Sequence, residues 1–175
     1  DINGDGTGFD VSGQEANPRS IEFNNDGTKM FLVGTSGDDV NVYNLSTGFD
    51  LLTATFNDIN GDGSGFDVSG QDESPQSLAF NNDGTKMFVL GVNSDDINVY
   101  TLSTGFDLLT ATFNDINGDG SGFSVEAQDN RARGITFNND GTKMFMVGLQ
   151  NEAINEYTLS TGFDLTSTVT FVDSF

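Results

Sequence analysis

One nine-residue sequence, Phe-Asn-Asn-Asp-Gly-Thr-Lys-Met-Phe, occurs three times in this chain of 175 residues. Its copies begin at Phe23, Phe80 and Phe137, so they are 57 residues apart. A regular period of this size is typical of repeat architectures, in which each unit buries its apolar face against the next unit. The sequence therefore predicts three similar units over residues 1–57, 58–114 and 115–175, the last of which includes a four-residue tail.

Each unit contains four predicted strands. The repeated sequence is a hairpin, because a Gly that follows Asp in a tight turn adopts a positive φ at no steric cost. In the second unit the strands are predicted over residues 77–80, 86–91, 97–102 and 108–113. The third strand alternates, with Ile97 and Val99 on one side and Asn98 and Tyr100 on the other. Helical periodicity is absent, so the fold class is all-β.

Four short antiparallel strands per repeat describe one blade of a β-propeller. Residues 77–89 and 96–105 resemble the YVTN-type and lactonase-like propeller repeats, with an apolar strand, an Asp-Gly turn, a second apolar strand and a strand that ends in Thr-Gly. This resemblance implies a propeller fold with three four-stranded blades per chain. It implies little about function, because propellers host enzymes, lectins and scaffolds. A solenoid of stacked β units is the alternative architecture.

Three blades do not close a propeller ring, which typically has four to eight blades. An open arc leaves two apolar blade faces in contact with water. We expect two chains to join head to tail as a homodimer with six blades, so that blade three of one chain meets blade one of the other. Three chains with nine blades, or a longer protein of which this chain is a fragment, are the alternatives.

The charge and the missing residue types exclude several functions. The chain has 27 acidic and 6 basic residues, a net charge of −21, so nucleic acid and anionic membranes are poor partners. It contains no Cys and no His, which excludes disulfides, typical zinc sites and His-based acid–base catalysis. So acidic a surface is simply well solvated, or it indicates a saline setting or bound cations. We expect an extracellular or surface-exposed location.

Each unit begins with Asp-Ile-Asn-Gly-Asp-Gly, which resembles a calcium-binding loop. Oxygen-bearing side chains at positions 1, 3 and 5 converge on one point in EF-hand loops, and a bidentate Glu follows at position 12. The sequence predicts calcium here, and the alternative is an Asn/Asp/Gly-rich turn without an ion. The candidate ligands are Asp1, Asn3, Asp5 and Asp10 in the first unit, Asp58, Asn60, Asp62 and Asp67 in the second, and Asp115, Asn117, Asp119 and Glu126 in the third.

The three units differ mostly in two segments, one before the first strand and one between the second and third strands. Alternate connections of an antiparallel blade emerge on the same face, so the two variable segments are predicted to share a face. The arginines of the chain all lie in the first of these segments, at Arg19, Arg131 and Arg133, and Gln76 is the counterpart of Arg19 in the second unit. Since the first strand is innermost in a propeller blade, these side chains should reach the mouth of the central channel.

An arginine fork at the channel mouth could hold the carboxylate or sulfate of an acidic sugar. In a closed dimer, Arg133 would also neighbour Arg19 of the partner subunit. The alternative is that each arginine offsets nearby acidic residues such as Glu15 and Asp129.

An enzyme is disfavoured, because no Ser-His-Asp or Cys-His arrangement can form. Propeller lactonases hold a cation in the channel with acidic and amide ligands, and Arg19, Gln76 and Arg133 do not form such a set. We therefore expect a non-enzymatic binding or structural module of an extracellular, cell-surface or phage-type assembly. A lectin-like binder of acidic glycans and a lactonase-like hydrolase are the alternatives.

Overall fold

The computed structural model describes residues 8–175, so the predicted calcium ligands Asp1, Asn3 and Asp5 lie outside the described residues. The described chain folds into three antiparallel sheets, each built on four strands in sequential order, and the first two sheets each carry a short fifth strand. The first sheet contains β1 (Pro18–Phe23), β2 (Lys29–Gly34), β3 (Asp39–Leu45) and β4 (Ala54–Phe56). The second contains β6 (Pro75–Phe80), β7 (Lys86–Gly91), β8 (Asp96–Leu102) and β9 (Ala111–Asn114). The third contains β11 (Ala132–Phe137), β12 (Lys143–Gly148), β13 (Ile154–Leu159) and β14 (Val169–Ser174).

The three sheets are arranged as consecutive propeller blades. Strand β6 contacts both β1 and β11, so the first strands of adjacent blades lie together at the inner edge, as predicted. Most of the apolar core lies between blades, and a further cluster around Met30 and Tyr43 lies within blade one. One cluster joins blades one and two and includes Phe31 and Met87, and another joins blades two and three and includes Phe88 and Met144. The prediction of an all-β protein with three four-stranded blades is confirmed.

The hairpin predicted around the Asn-Asn-Asp-Gly turn is confirmed in every blade. In blade two, Asn81 accepts at Oδ1 from the Lys86 N–H, and Asp83 accepts at Oδ1 from the backbone and hydroxyl of Thr85. Gly84 adopts φ +70°, and an added Cβ there would lie 2.3 Å from the Phe106 ring. The turn therefore needs Gly both for its backbone conformation and for the close packing of this ring.

The predicted alternation of the third strand is confirmed. Ile97 and Val99 pack in the cluster shared with blade three, whereas Tyr100 packs in the cluster shared with blade one. Asn98 is buried as well, as is its counterpart Asn41 in blade one.

The fourth strand of blade two is shorter than predicted. Residues Leu108–Thr110 form a short 3-10 helix, and the strand starts at Ala111. The cause is local, since the Asp107 side chain accepts from the Leu109 N–H and caps the helical turn, after Phe106 has taken φ +59°.

The acidic loops that begin the second and third units interrupt the outer edge of a blade, which corrects the prediction that they simply connect two blades. After residues 57–65 the chain returns to blade one as β5 (Phe66–Asp67), which pairs with β3. Strand β10 (Phe123–Ser124) returns to β8 in the same way. In blade three, β14 runs along β13 without such a loop, and Phe175 exchanges backbone hydrogen bonds with Ile154. The loop is therefore an insertion that a blade can lack.

No helix among residues 8–175 is long and apolar enough to cross a membrane.

Candidate ligand-binding site

The first strand of every blade carries a β-bulge at the position occupied by Arg19, Gln76 or Arg133. In blade one, Pro18 pairs with Gly34 and Ser20 pairs with the adjacent Val33, so Arg19 is an extra residue without a partner in β2. The same register shift falls at Gln76 and at Arg133. Bulges redirect side chains and are common beside functional sites. Three redirected polar side chains thus lie along the inner edge of three consecutive blades.

The arginines at these bulges are not neutralised by carboxylates. In the part of the chain that the structure describes, the one salt bridge joins Lys143 and Glu156, at 2.6 Å. Arg19 is exposed and Arg133 is partly exposed. Glu15 and Asp129, which the alternative prediction pairs with the arginines, bind backbone N–H groups and form no salt bridge with the arginines among residues 8–175. A charge offset over a longer distance stays a prediction. The guanidinium groups remain available for an external anion.

Arg131 and Gln76 have other surroundings. The Arg131 N–H donates to Asp129 Oδ1 at 2.7 Å, which fixes its backbone, while the residue as a whole is exposed. Gln76 is buried between the two flanking blades, and its Nε2 donates to the carbonyl of Ser74 at 3.1 Å. Gln76 therefore serves the structure of the site more than it serves a ligand.

A buried carboxylate in each blade joins the two variable segments, which confirms that they share one face. In blade two, Asp72 is 4% exposed and accepts at Oδ2 from the Ser94 N–H at 2.7 Å and at Oδ1 from the Ser74 N–H at 2.6 Å. Glu15 and Asp129 bind their own blades in the same way. This contact was not predicted from the sequence. The available signal was an acidic residue at the same repeat position of all three otherwise variable segments.

This face is strongly acidic around the arginines. Burial, reinforced by the negative charges of Glu73, Glu15 and Asp72, raises the pKa of Asp38 above its ordinary value. Burial also raises the pKa of Asp95, and among neighbouring charges that of Glu126 contributes most. Each arginine is therefore a local positive site within a negative field, which favours one well-placed anionic group over a large anionic surface.

The predicted calcium loops fold around their own backbone. Asp58 accepts from the N–H groups of Gly61, Asp62 and Gly63 at 2.7–3.1 Å. Asp62 accepts from Ser64, which lowers the pKa of Asp62, and Asn60 donates from Nδ2 to the Gly65 carbonyl. The loop with Asp115, Asn117 and Asp119 is closed by the same set of bonds.

The remaining candidate calcium ligands lie at other turns. Asp10 and Asp67 each accept from the N–H two residues ahead, at Ser12 and Ser69. Glu126 is exposed after β10. Among residues 8–175 no group of three acidic side chains is placed to hold a metal ion. Calcium binding therefore stays a prediction, and the bonds within each loop are those expected of an ion-free turn as well.

The fold is similar to that of known β-propellers. A protein from Bacteroides uniformis ATCC 8492, whose proposed activity is that of a 6-phosphogluconolactonase, matches with a TM-score of 0.58 and 14% identity over 90% of this chain and 40% of that one. The periplasmic gluconolactonase PpgL of Pseudomonas aeruginosa matches with a TM-score of 0.51 and 20% identity over 90% of this chain and 39% of its own. A chain of a nidogen/laminin complex matches with a TM-score of 0.54 and 14% identity over 90% of this chain and 48% of that one.

These likenesses, all at 20% identity or less, show the fold and leave the activity open. The chain spans about two fifths of the length of the two lactonase-type propellers. No protein-family model matches the sequence, and no curated protein sequence matches it either.

Proposed function

We propose that this protein is a non-enzymatic β-propeller binding module that takes up an anionic ligand, such as an acidic glycan, at the mouth of its central channel. Arg19 and Arg133 are the proposed binding residues, and Arg131 contributes from the adjacent segment. Acidic glycans occur outside cells and on cell surfaces, which is the setting that we expect for the protein.

One observation carries this proposal. A chain with a net charge of −21 places two arginines at β-bulges of its innermost strands, where neither has a carboxylate partner among residues 8–175. A guanidinium group without a carboxylate partner can bind a carboxylate or sulfate, because its planar fork makes two parallel hydrogen bonds to such a group.

The repeat itself supplies the matched variant that tests this proposal. Gln76 occupies the same bulge in blade two, so Arg19→Gln with Arg133→Gln places a residue that the blade already accepts. On an array of carboxylated, sulfated and neutral glycans, we expect the wild type to bind acidic glycans alone. The double variant should bind at least about tenfold more weakly, since each charge-assisted pair contributes about 1.5–3 kcal/mol. Added salt should weaken binding by the wild type.

Two results would contradict the proposal. Equal binding by the wild type and by a double variant whose circular dichroism is unchanged would exclude the arginines as the site. Turnover of lactone or ester substrates by the wild type would overturn the non-enzymatic assignment.

A further inference from the structure

The two internal interfaces between blades are built from the same contacts, repeated after 57 residues. Each has two phenylalanine rings packed across the interface, with centroids 4.7 or 4.6 Å apart. Each also has a lysine Nζ and an asparagine Nδ2 that donate to backbone carbonyls of the next blade, at 2.7–2.8 Å. The pairs are Phe31–Phe80 and Phe88–Phe137, Lys29–Phe106 and Lys86–Phe163, and Asn25–Asn82 and Asn82–Asn139.

Blade three carries the donor side of a further interface of this kind, and blade one carries the acceptor side. On blade three the next members of the three series are Asn139, Lys143 and Phe145. On blade one the matching acceptors are the carbonyls of Asn25 and Phe49 and the ring of Phe23. Both halves of one more interface are therefore present at opposite ends of the same chain.

Apolar side chains at these two ends are more exposed than their counterparts between blades. Val147 and Ile154 on blade three are 46% and 51% exposed, whereas their counterparts in blade two, Leu90 and Ile97, are completely buried. These two side chains line a groove of about 400 Å³. On blade one, Ile21 is 54% exposed, and its counterpart Leu78 is 1% exposed. A blade of the same repeat would cover each end.

We propose that the open face of blade three binds blade one of a second copy of this chain. Phe145 would pack on Phe23 of the partner subunit, and Lys143 would donate to the carbonyl of the partner's Phe49, as in the internal interfaces. A second copy is the proposed occupant because it carries the complementary half of the contact set with the same spacing. This inference is independent of the proposed ligand.

One residue sets this interface apart from the internal ones. Glu156 stands where blades one and two have Val42 and Val99, both of which are 2% exposed between blades. Its carboxylate pairs with Lys143 Nζ at 2.6 Å. An ammonium group has three donors, so Lys143 can keep Glu156 and still reach the partner's carbonyl. Burying this pair costs desolvation energy, so Glu156 weakens the interface without preventing it.

The test is the mass of the 175-residue chain in solution, measured by light scattering at micromolar concentrations. We expect twice the chain mass of 18.7 kDa for the wild type. Val147→Asp should weaken the association at least about tenfold, since it would bury an unpaired charge in the interface. Glu156→Val should tighten it. Leu109→Asp is the matched control, because Leu109 is 65% exposed and its blade-one counterpart Leu52 is 64% exposed, so no blade covers that position.

A wild-type chain that stays at 18.7 kDa would overturn the proposal, and so would a Val147→Asp variant that associates as well as the wild type. A trimer that Val147→Asp dissociates would support the same contact within a larger ring. Circular dichroism separates loss of association from loss of folding, because position 147 is already exposed in a single chain.

Discussion

One buried carboxylate in each blade shows how this acidic chain tolerates buried negative charge. Glu15, Asp72 and Asp129 are each at most 4% exposed, and among residues 8–175 none of them pairs with a basic side chain. Several backbone N–H groups satisfy each of them instead, which replaces the lost hydration at short range. At the scale of the residue, the acidic side chains therefore hold loops together and are more than a solvated surface.

Burial raises the pKa of Glu22, as it does for Asp38 and Asp95, and a pH experiment can detect its effect. Glu22 lies half-buried in β1, and burial raises its pKa above the ordinary value of 4.5. The folded state therefore holds this proton more tightly than the unfolded chain. Its contribution to stability is full below pH 4.5 and is lost as the pH rises through the folded-state pKa.

We predict that Glu22→Thr raises the melting temperature at neutral pH by about 2–4 °C and flattens its pH dependence down to pH 4.5. Thr is the residue that blade three has at the same position, Thr136. Glu73→Gln, at an exposed acidic residue, removes the same charge and should give a smaller gain. Equal gains from both variants would show that net charge, rather than burial of Glu22, is responsible.

At the scale of the element, the hairpin turn is the most demanding part of the repeat. A turn can need Gly for its positive φ or for the close packing of a neighbouring ring, and three glycines of this chain differ in these two constraints. Gly84 has a positive φ and a ring against its Cα, Gly61 has a positive φ in open space, and Gly70 has neither constraint.

We predict that Gly84→Ala lowers the free energy of unfolding by about 2–3 kcal/mol, because strain and overpacking add. Gly61→Ala should cost about 1 kcal/mol from backbone strain alone. Gly70→Ala should change stability by less than about 1 kcal/mol and is the control. Urea unfolding measures all three, and equal losses at positions 84 and 61 would remove the role assigned to the Phe106 ring.

The acidic loop is a separable element, so its calcium prediction can be tested by exchange. Blade three bridges the same gap in its outer strand with residues 172–174 in place of a nine-residue loop such as 57–65. Calcium that binds the folded loops should raise the melting temperature of the wild type. We predict that replacing residues 57–65 and 114–122 by Val-Asp-Ser reduces this shift and leaves the far-ultraviolet circular dichroism unchanged. A wild type with no thermal shift and no heat of binding at millimolar calcium would contradict it.

At the scale of the whole molecule, stacking of blades determines both the core and the open ends. Among residues 8–175, two buried clusters lie between blades and a third, around Met30 and Tyr43, lies within blade one. The open face of blade three has no such cover and keeps Val147 and Ile154 in water. The same stacking lines up the β-bulges of the first strands, which makes an arc of polar side chains from residues that are 57 positions apart. The candidate site and the proposed interface both follow from this periodicity.

The repeat period, the hairpins and the all-β class could be predicted from the sequence, because turn chemistry and strand patterns act over a few residues. The positions of Arg19 and Arg133 at the inner edge followed from the order of strands in a blade. Whether these arginines are free to bind a ligand could not be predicted, because it depends on which groups Glu15 and Asp129 hydrogen-bond in the folded protein.

The tertiary structure alone decided the features that depend on pairing between distant segments. The bulge at Arg19 results from a register shift between β1 and β2, and a shift of one residue leaves little trace in the pattern of side chains. The return of Phe66 to pair with β3, and the burial of Asn98 between two blades, depend on neighbours that the local sequence does not specify. Local sequence determined the elements of each blade, and contacts between strands and between blades determined which side chains are free to bind.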